Sequence, residues 1–237
     1  MPDAPLRALA QEYAREAIRG DETACLEIYD RALATGATMV DIYQEFLSAG
    51  MGHVGDWYHA GEINEACEHM ASEITERLMH RTAFHFGNGP RNGLHVLLGG
   101  GPESWHVIGL RMIADVLRHR GWSTMYLGPN VPTLSFVETV RVNRPDLVLL
   151  SCSAAEAVRG TTNLLLALQA YRDTVPDAHS FLIGVGGLLL PTHREVFRTA
   201  GADFTSPDLR SFVNDSVMEL ERVGPGVGLT NAQLAPL

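Results

Sequence analysis

Three glycine-bearing loops hold the residues of this chain best suited to binding a ligand: GGGPESWHVIG at 99–109, SCSAAEA at 151–157 and GVGGLLLP at 184–191. Each follows a short apolar run. In the first loop, His106 stands three residues before Gly109, where an amphipathic stretch begins. An imidazole there can ligate a transition metal once it is neutral; the plainer alternative is a solvated loop histidine capping a helix. The glycine run has neither the dinucleotide-binding spacing nor the Lys-Ser/Thr of a phosphate-binding P-loop.

A second group of candidates lies earlier, in VGDWYHAGEINEACEHMASEI. Here Trp57, Tyr58 and His59 precede Gly61, and Glu68 with His69 follow Asn64. Asn64 is a predicted N-cap, so Glu68 and His69 sit about one turn into a helix, near an end whose dipole favours an anionic group. Neighbouring helical residues point about 100° apart, which favours Glu68 as the direct contact of the two. A packed aromatic pair and a solvated helix face are the alternatives. His80, His85 and His95 show no ligand spacing.

Two different rhythms must position these groups. Residues 5–88 repeat apolar positions at helical spacing behind the caps Asp21, Thr38 and Asn64, which with the opening LRALAQEYAREAI predicts four helices in an antiparallel bundle. From residue 94 the chain alternates LHVLLG, TMYLG, DLVLLS and SFLIGVG with amphipathic segments ending near Gly121, Asn143 and Tyr171–Val175, and closes with DFTS at 203–206 and a helix through Val223. That alternation predicts an α/β fold, a flavodoxin-like five-stranded parallel sheet in the order 2-1-3-4-5. In this order ligands bind outside the carboxyl ends of strands one, three and four, where the three loops fall. Gly109 would let the first crossover helix approach closely, with Met112, Ile113, Val116 and Leu117 facing the sheet. The predicted division is a helical domain at 1–90, the sheet domain at 91–223 and an unstructured tail at 224–237.

The 237 residues carry 18 basic against 28 acidic side chains, a formal charge of -10, which repels phosphate backbones and anionic lipid surfaces and argues against direct nucleic-acid binding. No apolar run approaches the roughly 20 residues of a membrane span, and Met-Pro-Asp-Ala-Pro lacks the features of a secretion signal, so a cytoplasmic protein is expected. Cys25, Cys67 and Cys152 are odd in number and never paired as CxxC, and are read as buried thiols.

His106-Val-Ile-Gly109 resembles the end of the DxHxxG motif of cobalamin-binding domains, whose histidine displaces the cofactor's own dimethylbenzimidazole from the cobalt. GLRMIADVLRHRGWSTMYLGPNVP at 109–132, Ser151 with Ser153, Gly186-Gly187 and AGADF at 200–204 extend the resemblance over residues 94 to about 210. It implies His106 as lower cobalt ligand, Trp105 and Gly109 at the cofactor, Ser151 and Ser153 beside the buried nucleotide tail, and Gly186-Gly187 making room for that tail. The family's aspartate would stand at 104, which is Ser; the nearest acid is Glu103. A carboxylate orients a metal-bound imidazole and raises its basicity, a task left here to Ser104 or Glu103.

The segment at 54–74 is similar to the helical cap of cobalamin domains, where a Trp stands ten residues before a Glu-His pair; counting back from Glu68 gives Tyr58, with Trp57 its neighbour. In light-sensing repressors of the CarH type, the next residue is a histidine that can bind cobalt from above, a role this resemblance transfers to His59. It implies a photoreceptor holding adenosylcobalamin, or methylcobalamin, that signals to a regulatory or enzyme partner in trans or through a homo-oligomer. A similarity to photocobilins adds a bilin such as biliverdin. The alternative is a corrinoid protein carrying methyl groups for a methyltransferase system.

Overall fold

The computed structural model describes residues 3–174 and 181–223, and the chain divides into two compact units, Met1–Gly87 and Asn88–Leu237. The expected tail from Gly224 and the Val175 end of the third crossover segment lie outside the described residues.

The first unit is helical: α1 (Asp3–Ala17), α2 (Glu22–Ala34), α3 (39–59) and α4 (Glu65–Phe86). The three predicted caps start their helices. Asp21 accepts from the Ala24 amide, Asn64 accepts from the Cys67 amide, and Thr38 forms a reciprocal capping box with Asp41. Helix α4 buries Ala71, Ile74, Thr75, Leu78, Met79 and Thr82, a stripe at three- and four-residue spacing. Tyrosines from the other three helices anchor to that stripe: Tyr13 and Tyr29 share hydrogen bonds with the Thr75 and Thr82 hydroxyls at 2.6 and 3.0 Å, and Tyr43 donates to the Met79 carbonyl at 3.2 Å. Each hydroxyl thus enters the core with a partner.

Helix α3 departs from the regular helix predicted there. It is continuous, but Ile42–Ser48 is π-helical between the α-helical turns Met39–Asp41 and Ala49–His59. A π segment adds a residue per turn and shifts the side chains that follow it, and so sets which face of the last turn carries Trp57, Tyr58 and His59. The helix closes on Gly61 at φ 73°, whose amide donates to the Tyr58 carbonyl while the Glu62 amide donates to Trp57, the two bonds of a Schellman end.

The second unit is a five-stranded parallel sheet in the predicted order β2-β1-β3-β4-β5, with β1 at His95–Gly100, β2 at Ser123–Tyr126, β3 at Leu147–Ser151, β4 at Leu182–Gly186 and β5 at Phe204–Thr205. All pairings are parallel, and the register sets Gly100 beside Ser151 and Ser151 beside Gly186. The crossover helices are α5 (Ile108–His119), α6 (Thr133–Asn143), α7 (Ala155–Arg172) and α8 (Leu190–Thr199); α9 (209–223) follows β5 and also carries a π-helical stretch, Phe212–Val217. Strand β3 is buried along its whole length, as a central parallel strand covered on both faces must be. Helix α5 buries Leu110, Met112, Ala114, Val116 and Leu117, while Ile113 is half-buried. Helix α9 is tied down by Glu221, which accepts from the Trp122 indole and from Arg120, each at 2.9 Å.

Candidate functional site

The sheet order reverses at β1, which lies between β2 and β3, so the loops after β1 and β3 leave the sheet in opposite directions and open a crevice between them. The loop at 101–107 folds back tightly: a Cβ on Gly100 would lie 2.6 Å from the Ser104 carbonyl oxygen. It is also stapled to the loop after β2. The Asn130 amide donates to the Ser104 carbonyl and its Oδ1 accepts from the Glu103 amide, both at 2.9 Å, while the Val131 amide reaches the Gly100 carbonyl. Glu103 and Asn130 both hold positive φ, 64° and 51°. Asn tolerates that region and Glu rarely visits it.

His106 emerges from this loop exposed, and among the described residues no hydrogen bond meets its ring. Its carbonyl accepts from the Ser151 hydroxyl at 3.2 Å, and Ser151 in turn lies 3.4 Å from the Ser153 hydroxyl, which accepts from the Leu188 amide at 3.3 Å. A chain of hydroxyls therefore crosses from the β1 loop over β3 to the β4 loop. Ser104 is 2% exposed and turned inward, donating to the Ser151 carbonyl at 2.8 Å. Neither Ser104 nor the exposed Glu103 touches the imidazole, so the orienting role expected of one of them is not filled by direct contact.

The glycines separate into two kinds. Gly187, at φ 119°, would place a Cβ 2.3 Å from the Cys152 carbonyl oxygen, so the protein itself requires glycine there; a Cβ on Gly186 would meet nothing closer than the Ser206 carbonyl at 3.4 Å. Gly109 is exposed with nothing within 4 Å of a Cβ, which corrects the expectation that it lets α5 approach the sheet. Two large apolar side chains also stand out from these loops, Trp105 at 64% and Leu188 at 79% exposure. Cys152 is buried, and burial pushes its thiol pKa up. Cys25 is buried as expected, whereas Cys67 is only half-buried because it lies on the exposed first turn of α4.

In the helical unit, Trp57 is half-buried and stacks on His53 with ring centroids 6.1 Å apart; Tyr58 is exposed and its ring meets that of the exposed His59 at 5.7 Å. Glu68 is held from two sides: its carboxylate meets His69 Nδ1 at 2.7 Å and accepts from the Ser72 hydroxyl at 3.0 Å. His69 Nε2 also lies 3.6 Å from Glu65. Sequence reasoning missed Ser72 and Asn130. Ser72 was legible as an i+4 neighbour of Glu68; Asn130 carried only the weak signal of an Asn in a Gly-Pro turn.

These residues fit the corrinoid group implied by the resemblance. An imidazole that meets no hydrogen-bond partner among the described residues stands at the sheet edge, Gly109 and Gly186 leave space that no described residue fills, and polar hydroxyls line the way between them. The helices α5, α7 and α8 begin at this edge with no side-chain cap from Val107, Ala154 or Leu189, in contrast to the capped α2, α3 and α4. Among the described residues no cluster of three or more His, Cys, Asp or Glu could hold a metal ion. No helix of the described residues is long and apolar enough to cross a membrane.

Comparison with known proteins agrees with this assignment. Two family models, each described as a B12 binding domain, match residues 9–81 and 94–206. The chain is 29% identical over 147 residues to the trimethylamine corrinoid protein of Methanosarcina barkeri, covering 58% of this chain and 65% of that one. It is 28% identical over 177 residues to the HTH-type transcriptional repressor CarH of Myxococcus xanthus, covering 74% of this chain and 56% of that one. The matches thus span less than two thirds of either relative. In fold it is similar to the Methanosarcina barkeri monomethylamine corrinoid protein, with a TM-score of 0.72 and 22% identity over 85% of this chain and 93% of that one. With a B12-binding match in its helical unit and another in its sheet unit, the chain belongs to the cobalamin (B12)-binding domain family.

Proposed function

We propose that this chain is a cytoplasmic, cobalamin-dependent light-sensing module that signals to a protein partner. The observation that carries the reading is His59: an exposed imidazole on the last turn of α3, next to the exposed Tyr58 and nine residues before a Glu68 that is already held in place. A methyl carrier has no evident use for a second imidazole in the cap, whereas a sensor needs a group to occupy cobalt after its alkyl ligand is lost. Adenosylcobalamin, when bound, supplies a cobalt-carbon bond that light breaks. His106 is assigned as the lower nitrogen ligand and His59 as the ligand after illumination, both neutral imidazoles suited to a transition metal. Ser151, Ser153, Gly186 and Gly187 border the space for the nucleotide tail, with Trp105 and Gly109 at the corrin, and Trp57, Tyr58, Glu68 and His69 facing the alkyl side.

The test is an absorption spectrum of wild type, His106→Ala and His59→Ala with adenosylcobalamin, methylcobalamin and added biliverdin, in the dark and after illumination. His106→Ala is expected to change the dark spectrum and His59→Ala only the light-state spectrum. Identical light-state spectra in wild type and His59→Ala refute the role of His59, and a wild-type spectrum insensitive to light refutes sensing. The second reading, a corrinoid protein carrying methyl groups to a methyltransferase partner, is favoured by the similarity to the trimethylamine corrinoid protein; it predicts no ligand exchange at His59. A new biliverdin band on binding would establish the bilin.

A further inference from the structure

We propose that Ser104 and Ser151 are positioning residues that fix His106 through its backbone, and that position 104 makes no direct bond to the imidazole. The two serines form a reciprocal lock: the Ser104 hydroxyl donates to the backbone carbonyl of Ser151 at 2.8 Å, and the Ser151 hydroxyl donates to the backbone carbonyl of His106 at 3.2 Å. A serine hydroxyl has one proton to donate, and each of these is spent on a main-chain oxygen. Ser104 is 2% exposed, so its side chain has no path to the exposed ring two residues later.

The lock is backed from the other side by Asn130, whose amide and Oδ1 hold the Ser104 carbonyl and the Glu103 amide. With β3 behind it and the β2 loop beside it, the 103–106 backbone is fixed at both faces while the ring stays open to a ligand. Metal sites need ligands held within a fraction of an ångström by the shell around them, and a carboxylate bonded to the ring is one way to provide this. Here the supporting shell grips the chain that carries the ring. The consequence runs against the sequence pattern: restoring an acid at 104 puts a buried carboxylate against the Ser151 carbonyl, two acceptors facing each other with no proton between them, and burying an unpaired charge is costly.

This rests on the reading of His106 as the lower ligand, and the experiment separates the two. Methylcobalamin is titrated in the dark into wild type, Ser104→Ala, Ser151→Ala, Ser104→Asp and His106→Ala to read affinity, and the fraction of cobalt carrying the protein imidazole is read from absorption and, in 15N-labelled protein loaded with hydroxocobalamin and reduced by one electron to the cobalt(II) form, from the nitrogen splitting in electron paramagnetic resonance. Loss of one hydrogen bond predicts about fivefold weaker binding for each alanine variant, with a smaller imidazole-ligated fraction. Ser104→Ala, whose side chain is out of a ligand's reach, distinguishes loss of positioning from loss of a tail contact at Ser151. Ser104→Asp is expected to fall below Ser104→Ala in imidazole-ligated fraction. A gain in that fraction on Ser104→Asp, or wild-type spectra and affinity in both alanine variants while His106→Ala is altered, overturns the lock. An unchanged His106→Ala overturns the ligand assignment itself.

Discussion

Gly187→Ala and Gly186→Ala, one residue apart, are expected to fail in different assays. At 187 a methyl group would sit 2.3 Å from the Cys152 carbonyl oxygen and 2.7 Å from its carbon, on a backbone held at φ 119°. The neighbour is main chain of the β3 loop, joined to β4 by the Cys152 amide on the Gly186 carbonyl, and cannot swing aside as a side chain would. A left-handed backbone alone costs a non-glycine residue roughly 1–2 kcal/mol, and relieving an approach about 1 Å inside normal contact adds a similar overpacking cost. The sum, about 2–4 kcal/mol, lowers the melting midpoint of the sheet unit by roughly 4–16 °C. At 186 the same methyl meets only the Ser206 carbonyl at 3.4 Å, an ordinary contact. Gly186→Ala should therefore melt within about 2 °C of wild type, or slightly above it since a glycine weakens a strand. Yet it should bind cobalamin at least about tenfold more weakly if the space it fills takes the nucleotide tail as proposed, a loss of upwards of about 1.4 kcal/mol. Thermal unfolding followed by circular dichroism without ligand, and equilibrium titration with cobalamin, read the two effects separately. Equal melting losses in both variants, or wild-type affinity in Gly186→Ala, would refute the division of the two glycines between fold and ligand.

Glu103→Gly removes a non-glycine residue from φ 64°; after the added entropy of glycine in the unfolded chain it should gain about 0.5–1 kcal/mol in thermal unfolding, and a loss would show that the Glu103 side chain has a structural partner. Tyr58→Ala should alter selectivity between adenosylcobalamin and methylcobalamin more than Trp57→Ala, because Tyr58 is exposed whereas Trp57 is stacked on His53 of its own helix; the reverse ranking would assign the alkyl side to Trp57. Burial, reinforced by Asp21, Glu16 and Glu22, pushes the Cys25 thiol up to about 12 from an ordinary value of 9.0, and burial also raises Tyr13 and Tyr29. The native state thus favours their neutral forms: this contribution to stability is intact below about pH 9 and is lost as pH climbs toward 12. Melting midpoints should accordingly fall as pH rises from about 9 toward 12, and at pH 8 iodoacetamide should label half-buried Cys67 ahead of Cys25 and Cys152; a flat alkaline profile, or early labelling of Cys25, would contradict the packing of the bundle.

The sequence by itself determined the elements and their order. Helix starts at Asp21, Thr38 and Asn64 are local events, each a side-chain oxygen reaching amides a few residues ahead, so residue type is enough to find them. The five strands were legible because buried parallel strands read as short apolar runs between amphipathic helices, and their order then placed His106, Ser151 and Gly186 at one edge of the sheet. What the sequence could not decide depends on where a side chain turns once the chain is folded. Whether Ser104 meets the His106 ring or the Ser151 carbonyl is settled by a strand 47 residues away. The π-helical stretch in α3 was not legible either, since its residues have ordinary helical spacing on paper. The glycines give the clearest contrast. As letters, Gly109, Gly186 and Gly187 are alike, but only the folded backbone shows that Cys152 presses on Gly187 while no other segment among the described residues comes within 4 Å of a Cβ at Gly109, because contact between segments distant in sequence is a property of the tertiary structure alone.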